Sequence, residues 1–94
     1  MAQLIKVDGT IMDILPKNKK HFKLKEMYGI LSCRLVEFVR TKNEDLMILD
    51  EEGKLRNNWR NNINNKATEL YKYGEDDPIV GDVLICKDKD KEVR

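Results

Sequence analysis

The sequence predicts an α+β fold: a small antiparallel sheet of about five strands with two helices, in the order ββαββαβ. Three observations predict it. Two short runs rich in β-branched and apolar residues, 3–7 (QLIKV) and 10–15 (TIMDIL), are separated only by Asp8-Gly9. A run of clean two-residue alternation, 33–41 (CRLVEFVRT), leads through a polar turn into the apolar LMIL of residues 46–49. The segment that follows each strand pair carries apolar residues at helical spacing.

Each element has a local reason. Asp-Gly between two apolar runs is a hairpin signal, because a type I′ turn needs positive φ at both central positions. Pro16 closes the second strand, since it has no N–H for a ladder. Residues 17–31 (KNKKHFKLKEMYGIL) read as a basic lead-in and a short helix, with Phe22, Leu24, Met27, Tyr28 and Leu31 on the sheet side. Gly29 or Ser32 marks its end. In the alternating run, Cys33, Leu35, Glu37 and Val39 point one way, and Arg34, Val36, Phe38 and Arg40 the other. Lys42-Asn43-Glu44-Asp45 is the turn of a second hairpin, which ends at Asp50-Glu51-Glu52-Gly53. Residues 79–86 (IVGDVLIC) form the last strand, with Gly81 as a bulge or a close backbone approach.

The stretch 57–65 (NNWRNNINN) packs six asparagines, one tryptophan and one arginine into nine residues. Leu55, Trp59, Ile63 and Ala67 lie four residues apart, an apolar stripe at helical spacing. Asparagine is a poor helix former, roughly 0.6 kcal/mol worse than alanine, so six in a helix interior cost about 3–4 kcal/mol. That is a large fraction of a small domain's stability. A broken element is therefore expected: irregular or single-turn chain through about Asn62, then a helix over 65–71 capped by Asn64 or Asn65.

Composition bounds the function. Ninety-four residues make one domain, assigned to 1–86, with 87–94 (KDKDKEVR) as a charged, solvated tail. So short a chain has a thin stability margin, and a symmetric homo-oligomer is expected. The net charge of +1 argues against an acidic nucleic-acid mimic and does not require a polyanionic partner. Cys33 and Cys86 lie in apolar runs without CxxC spacing, which reads as two buried, reduced thiols in a cytoplasmic protein. Met1-Ala2-Gln3 leads straight into the first strand, so no leader is expected, and no apolar run approaches a membrane span. No nucleophile elbow, Gly-rich phosphate loop or zinc signature is present.

The C-terminal third carries a resemblance. Leu49-Asp50-Glu51-Glu52-Gly53-Lys54-Leu55, Asn65-Lys66-Ala67-Thr68 and Asp77-Pro78-Ile79-Val80-Gly81-Asp82-Val83-Leu84 resemble the domain of unknown function 3846 family. The resemblance covers roughly residues 25–86. It implies a small protein of phage or mobile-element origin, of a kind that counters host defence inside the bacterial cytoplasm. It implies no activity.

The candidate site is the asparagine stretch. Each asparagine amide offers two donors and an acceptor, which suits base edges and ribose hydroxyls. Trp59 offers a stacking face, and Arg56 and Arg60 can hold phosphate. The ligand-binding set is then Trp59, Arg56, Arg60, Asn61, Asn62, Asn65 and Thr68. Each has a structural alternative: Trp59 lies on the apolar stripe and can be core, Asn65 can cap a helix, and Thr68 can bond its own backbone. The lysines at 17, 19, 20, 23 and 25 with His21 form a positive cluster, either a solvated face or a weak nucleic-acid contact. Asp50, Glu51, Glu52, Asp76, Asp77 and Asp82 would serve a metal or an acid–base pair only if they converge.

The expectation is a binding protein that sequesters a small nucleotide-like immune signal without turnover, with no metal, no cofactor and no membrane partner. The alternatives are an inhibitor that docks on a host defence protein through the same Trp59 and Arg60, and a weak nucleic-acid binder.

Overall fold

The computed structural model describes residues 2–17 and 22–86. Strands β1 (Ala2–Ile5) and β2 (Ile11–Ile14) are followed by helix α1 (Leu24–Leu31). Strands β3 (Val36–Arg40) and β4 (Leu46–Asp50) come next, then two short 3-10 turns, helix α2 (Asn65–Leu70) and strand β5 (Val83–Cys86). The class and element order are those the sequence predicts. All pairings are antiparallel, and the strand order is β2-β1-β5-β4-β3. The last strand in sequence is thus the central one in space.

Period-two alternation sorts the strand side chains into two cores. Ala2, Leu4, Ile48, Leu84 and Cys86 pack with Phe22, Met27 and Leu31 on the α1 side. Ile5, Met47, Leu49, Val83 and Ile85 pack with Ala67, Tyr71 and Ile79 on the α2 side. The sheet is covered on both faces. That explains why LMIL and VLIC are unbroken apolar runs although the strands are antiparallel: both of their faces are dry.

Both hairpins use the same turn, and it is not the expected two-residue one. In the first, the Lys6 amide donates to Thr10 O and the Gly9 amide to Lys6 O, both at 2.9 Å. Val7, Asp8 and Gly9 form a three-residue loop, and only Gly9 has positive φ, at 95°. A type I′ turn would need positive φ at Asp8 as well, and the three-residue loop leaves that demand to Gly9 alone. The second hairpin repeats the pattern over Lys42–Glu44, with Glu44 at φ 67°. Thr41 is buried and steadies it, its Oγ1 accepting from the Asp45 amide at 3.0 Å.

Of the other boundaries, the end of α1 is one of the two expected, and the start of the last strand shifts. Helix α1 ends at Ser32, in the left-handed conformation at φ 53°, and runs through Gly29. The last strand begins at Val83, not Ile79. Residues 79–82 instead make a crossing: Val80 bridges Ile63, and Gly81 turns at φ 83°. Cys86 is buried, but Cys33 is only half-buried. Burial, and then the nearby Asp50 carboxylate, push the Cys33 thiol up from its usual range. The charged tail at 87–94, and Lys19, Lys20 and His21 of the basic cluster, lie outside the described residues.

Candidate site around Trp59

The chain leaves β4 at Asp50 and breaks into the turns Gly53–Leu55 and Trp59–Asn62. Amides that bond three residues back build both: Leu55 to Glu52 O at 3.0 Å, and Asn61 to Asn58 O at 3.0 Å. Asparagine favours such short turns over a continuous helix because its amide competes for the backbone. The apolar stripe consequently does not form one face. Leu55 is 78% exposed, Trp59 and Ile63 are half-buried, and only Ala67 is fully buried.

A junction closes the segment. Asn64, rather than Asn65, is the N-cap of α2, its Oδ1 accepting from the Ala67 amide at 3.0 Å. Its Nδ2 donates to Ile5 O and to Gly81 O, both at 2.9 Å, and the residue is wholly buried. Thr68 Oγ1 donates to Asn64 O at 2.8 Å and accepts from the Ile79 amide at 2.9 Å. The Asn64 amide reaches Ile79 O, and the Gly81 amide reaches Asn62 O. This network ties α2, β1 and the 79–81 crossing together.

Between the turns lies an open depression of about 510 Å³, lined by Gly53, Arg56, Asn57, Asn58, Trp59, Asn61 and Asn62. Its size falls within the range of small-molecule sites. The Arg60 guanidinium lies over the indole, 4.5 Å from the ring centroid, and the Lys54 ammonium stands 6.0 Å from it. Of the predicted set, Trp59, Arg56, Asn61 and Asn62 come together at the depression, with Arg60 against the ring. Thr68 lies within the junction, and Asn65 is exposed on the first turn of α2.

The cations around the depression differ in how they are held. Asp50 is 5% exposed at its side chain; its Oδ2 meets Arg56 Nη1 at 2.5 Å, and its Oδ1 accepts from the Glu52 amide at 2.9 Å. Only the Asp50 side of the pair is buried, Arg56 being 54% exposed, so its loss costs less than the about 3–5 kcal/mol of a fully buried pair. Lys54 pairs with Asp77, but both are well exposed, and such pairs contribute about 0–1 kcal/mol. Arg60 has no carboxylate partner among the described residues.

Two other carboxylates, Glu52 and Asp82, have structural roles. Glu52 accepts a bidentate fork from Arg34, at 2.9 and 3.2 Å. That hydrogen bonding holds Glu52 below the usual carboxylate range. Asp82 Oδ1 accepts from the Val7 amide at 3.0 Å. Among the described residues no three His, Cys, Asp or Glu side chains gather as a metal would need. Lys17, Lys23 and Lys25 flank a second shallow depression together with Glu26, whose Oε2 accepts from the Lys17 amide at 2.9 Å.

Sequence reasoning named Asn64 as one of two possible caps and Gly53 as a hairpin end, but it did not place Lys54 or Gly53 at the site or foresee the bonds from Asn64 Nδ2 to Ile5 O and Gly81 O. The spacing from Asn64 to Ala67 was the available signal for the cap, since an N-cap oxygen reaches the amide three residues on. Nothing local marks Lys54 as a neighbour of the indole. No helix among the described residues is long and apolar enough to cross a membrane.

No curated protein and no solved structure matches the chain. One family model does, over residues 4–94, described as a domain of unknown function. The match takes in most of the first hairpin, all of the second, the Trp59 segment and the α2 junction, and the chain belongs to the DUF3846 family.

Proposed function

We propose that this protein is a phage-type binding protein that captures a small nucleotide-like immune signal in the host cytoplasm and holds it without turnover. The observation that carries the reading is one depression that gathers a half-buried indole and four exposed asparagines, with a guanidinium stacked on the indole. Trp59 stacks the base. Asn57, Asn58, Asn61 and Asn62 bond its edges and the ribose. A second copy of the chain closes the open side. Apolar side chains left in water at both sheet edges support self-association: Ile11 and Met12 on β2, and Phe38 on β3.

Calorimetry with cyclic nucleotides and ADP-ribose derivatives tests the reading. Trp59→Ala is expected to weaken binding about 10- to 100-fold, the scale of one stacked base. Absence of heat for every nucleotide tried removes it.

A second reading has its own support. Leu55 is the most exposed large apolar side chain among the described residues, three positions before Asn58 and four before Trp59. An exposed Leu near in sequence to Trp and Arg also suits an anchor on a host defence protein. A stoichiometric protein partner pulled from host lysate, with no small molecule bound, favours this reading instead.

A further inference from the structure

We infer that the depression selects ligands with a single phosphate, because only one of its three neighbouring cations is available to an anion. The inference rests on the nucleotide reading of the Trp59 depression and specifies the ligand class.

Arg56 lines the depression, yet its charge is matched by Asp50, a carboxylate that is nearly out of solvent. A phosphate that drew Arg56 away would strand a buried charge, so Arg56 keeps its partner, and Asp50 offsets its charge toward a ligand. Lys54 is matched by Asp77 on the solvent side, a looser hold. Arg60 alone has no carboxylate partner among the described residues, and its guanidinium rides on the ring that would stack the base. The first phosphate therefore meets Arg60. A second meets only Lys54, which Asp77 holds back. The surrounding asparagines are uncharged and do not distinguish one phosphate from three.

Trp59 is the only tryptophan, so its emission reports the site directly. The test is a fluorescence titration with adenosine and its 5′-mono-, di- and triphosphates, repeated with the guanosine series. In the unmodified protein the monophosphate is expected to bind about tenfold tighter than the nucleoside, the scale of one charge-assisted contact. The di- and triphosphates stay within about twofold of the monophosphate. Arg60→Ala brings the monophosphate to the level of the nucleoside, and Arg60→Lys keeps most of the gain. Asp77→Asn releases Lys54 and gives the diphosphate about a fivefold advantage over the monophosphate.

A stepwise gain with each added phosphate in the unmodified protein overturns the inference and leaves the nucleotide site standing. Equal affinity of mono- and diphosphate in Asp77→Asn also overturns it. No change in emission with any member of either series overturns the nucleotide reading itself.

Discussion

Asn64 and the asparagines at 57, 58, 61 and 62 lie within eight positions of one another, and they meet opposite fates. Asn64 is wholly buried and uses its amide three times, on Ile5 O, Gly81 O and the Ala67 amide. The other four are exposed and line an open depression. The residue type is the same, so the difference comes from what the fold brings to each. The carbonyls of Ile5 and Gly81 converge on Asn64, and a buried polar group left alone is expensive. Nothing comparable arrives at the other four, whose groups stay in water and are available to a ligand.

The sharpest way to break this comparison is to remove one amide from each side. Asn64→Ala removes a helix cap and the amide donor to Ile5 O and Gly81 O, an expected loss of about 3–4 kcal/mol in urea or thermal unfolding. Asn61→Ala and Asn62→Ala are expected to change stability by no more than about 0.5 kcal/mol, while weakening the nucleotide binding proposed for the depression. A comparable loss at all three positions would erase the distinction.

Thr68 extends the junction side. Thr68→Val keeps the shape but removes the acceptor of the Ile79 amide, an expected loss of about 1–3 kcal/mol. Thr68→Ser keeps the hydroxyl and should recover most of it. If Ser and Val behave alike in unfolding, packing and not the hydrogen bond explains Thr68.

The smallest expected effect is one of pH. The junction bonds join uncharged groups, whereas the entry to the Trp59 segment is held by the Arg34–Glu52 pair. Glu52 sits below the usual carboxylate range. A depressed carboxylate stabilises the fold above its unfolded pKa, near 4.3, and that share is lost as pH falls through the folded value. Urea midpoints measured from pH 7 downward should fall more in the unmodified protein than in Glu52→Gln. Parallel curves would show that the pair is inert.

How far the sequence was legible follows the same division. The broken element through about Asn62 was readable because asparagine's helix penalty is a property of the residue itself. The end of α1 at Ser32 and the hairpin positions were readable from local turn chemistry. The type I′ assignment failed because it depends on Asp8 taking positive φ, and a three-residue loop confines that demand to Gly9. Reading 79–82 as strand failed because its apolar pattern was taken for a ladder. Ile79 and Val80 are buried, but in a crossing fastened to Ile63, Asn64 and Thr68. At the candidate site, the indole, one arginine and two asparagines were legible as a polar cluster with an aromatic plate. The pairings Arg56–Asp50 and Lys54–Asp77 were not.

The sequence by itself determined the α+β class, the element order and the short turns in place of a helix. All of these depend on backbone preferences and periodicities that reach only a few residues. The tertiary structure alone decided that β5 lies at the centre, that both faces of β4 and β5 are dry, that Asn64 is a clamp, and which carboxylate neutralises which cation. Those outcomes join groups far apart in the chain: Asn64 with Ile5 across 59 positions, and Val7 with Asp82 across 75. Hydrogen bonds and ion pairs act over a few ångströms of space, and distance along the chain does not specify which groups will meet there.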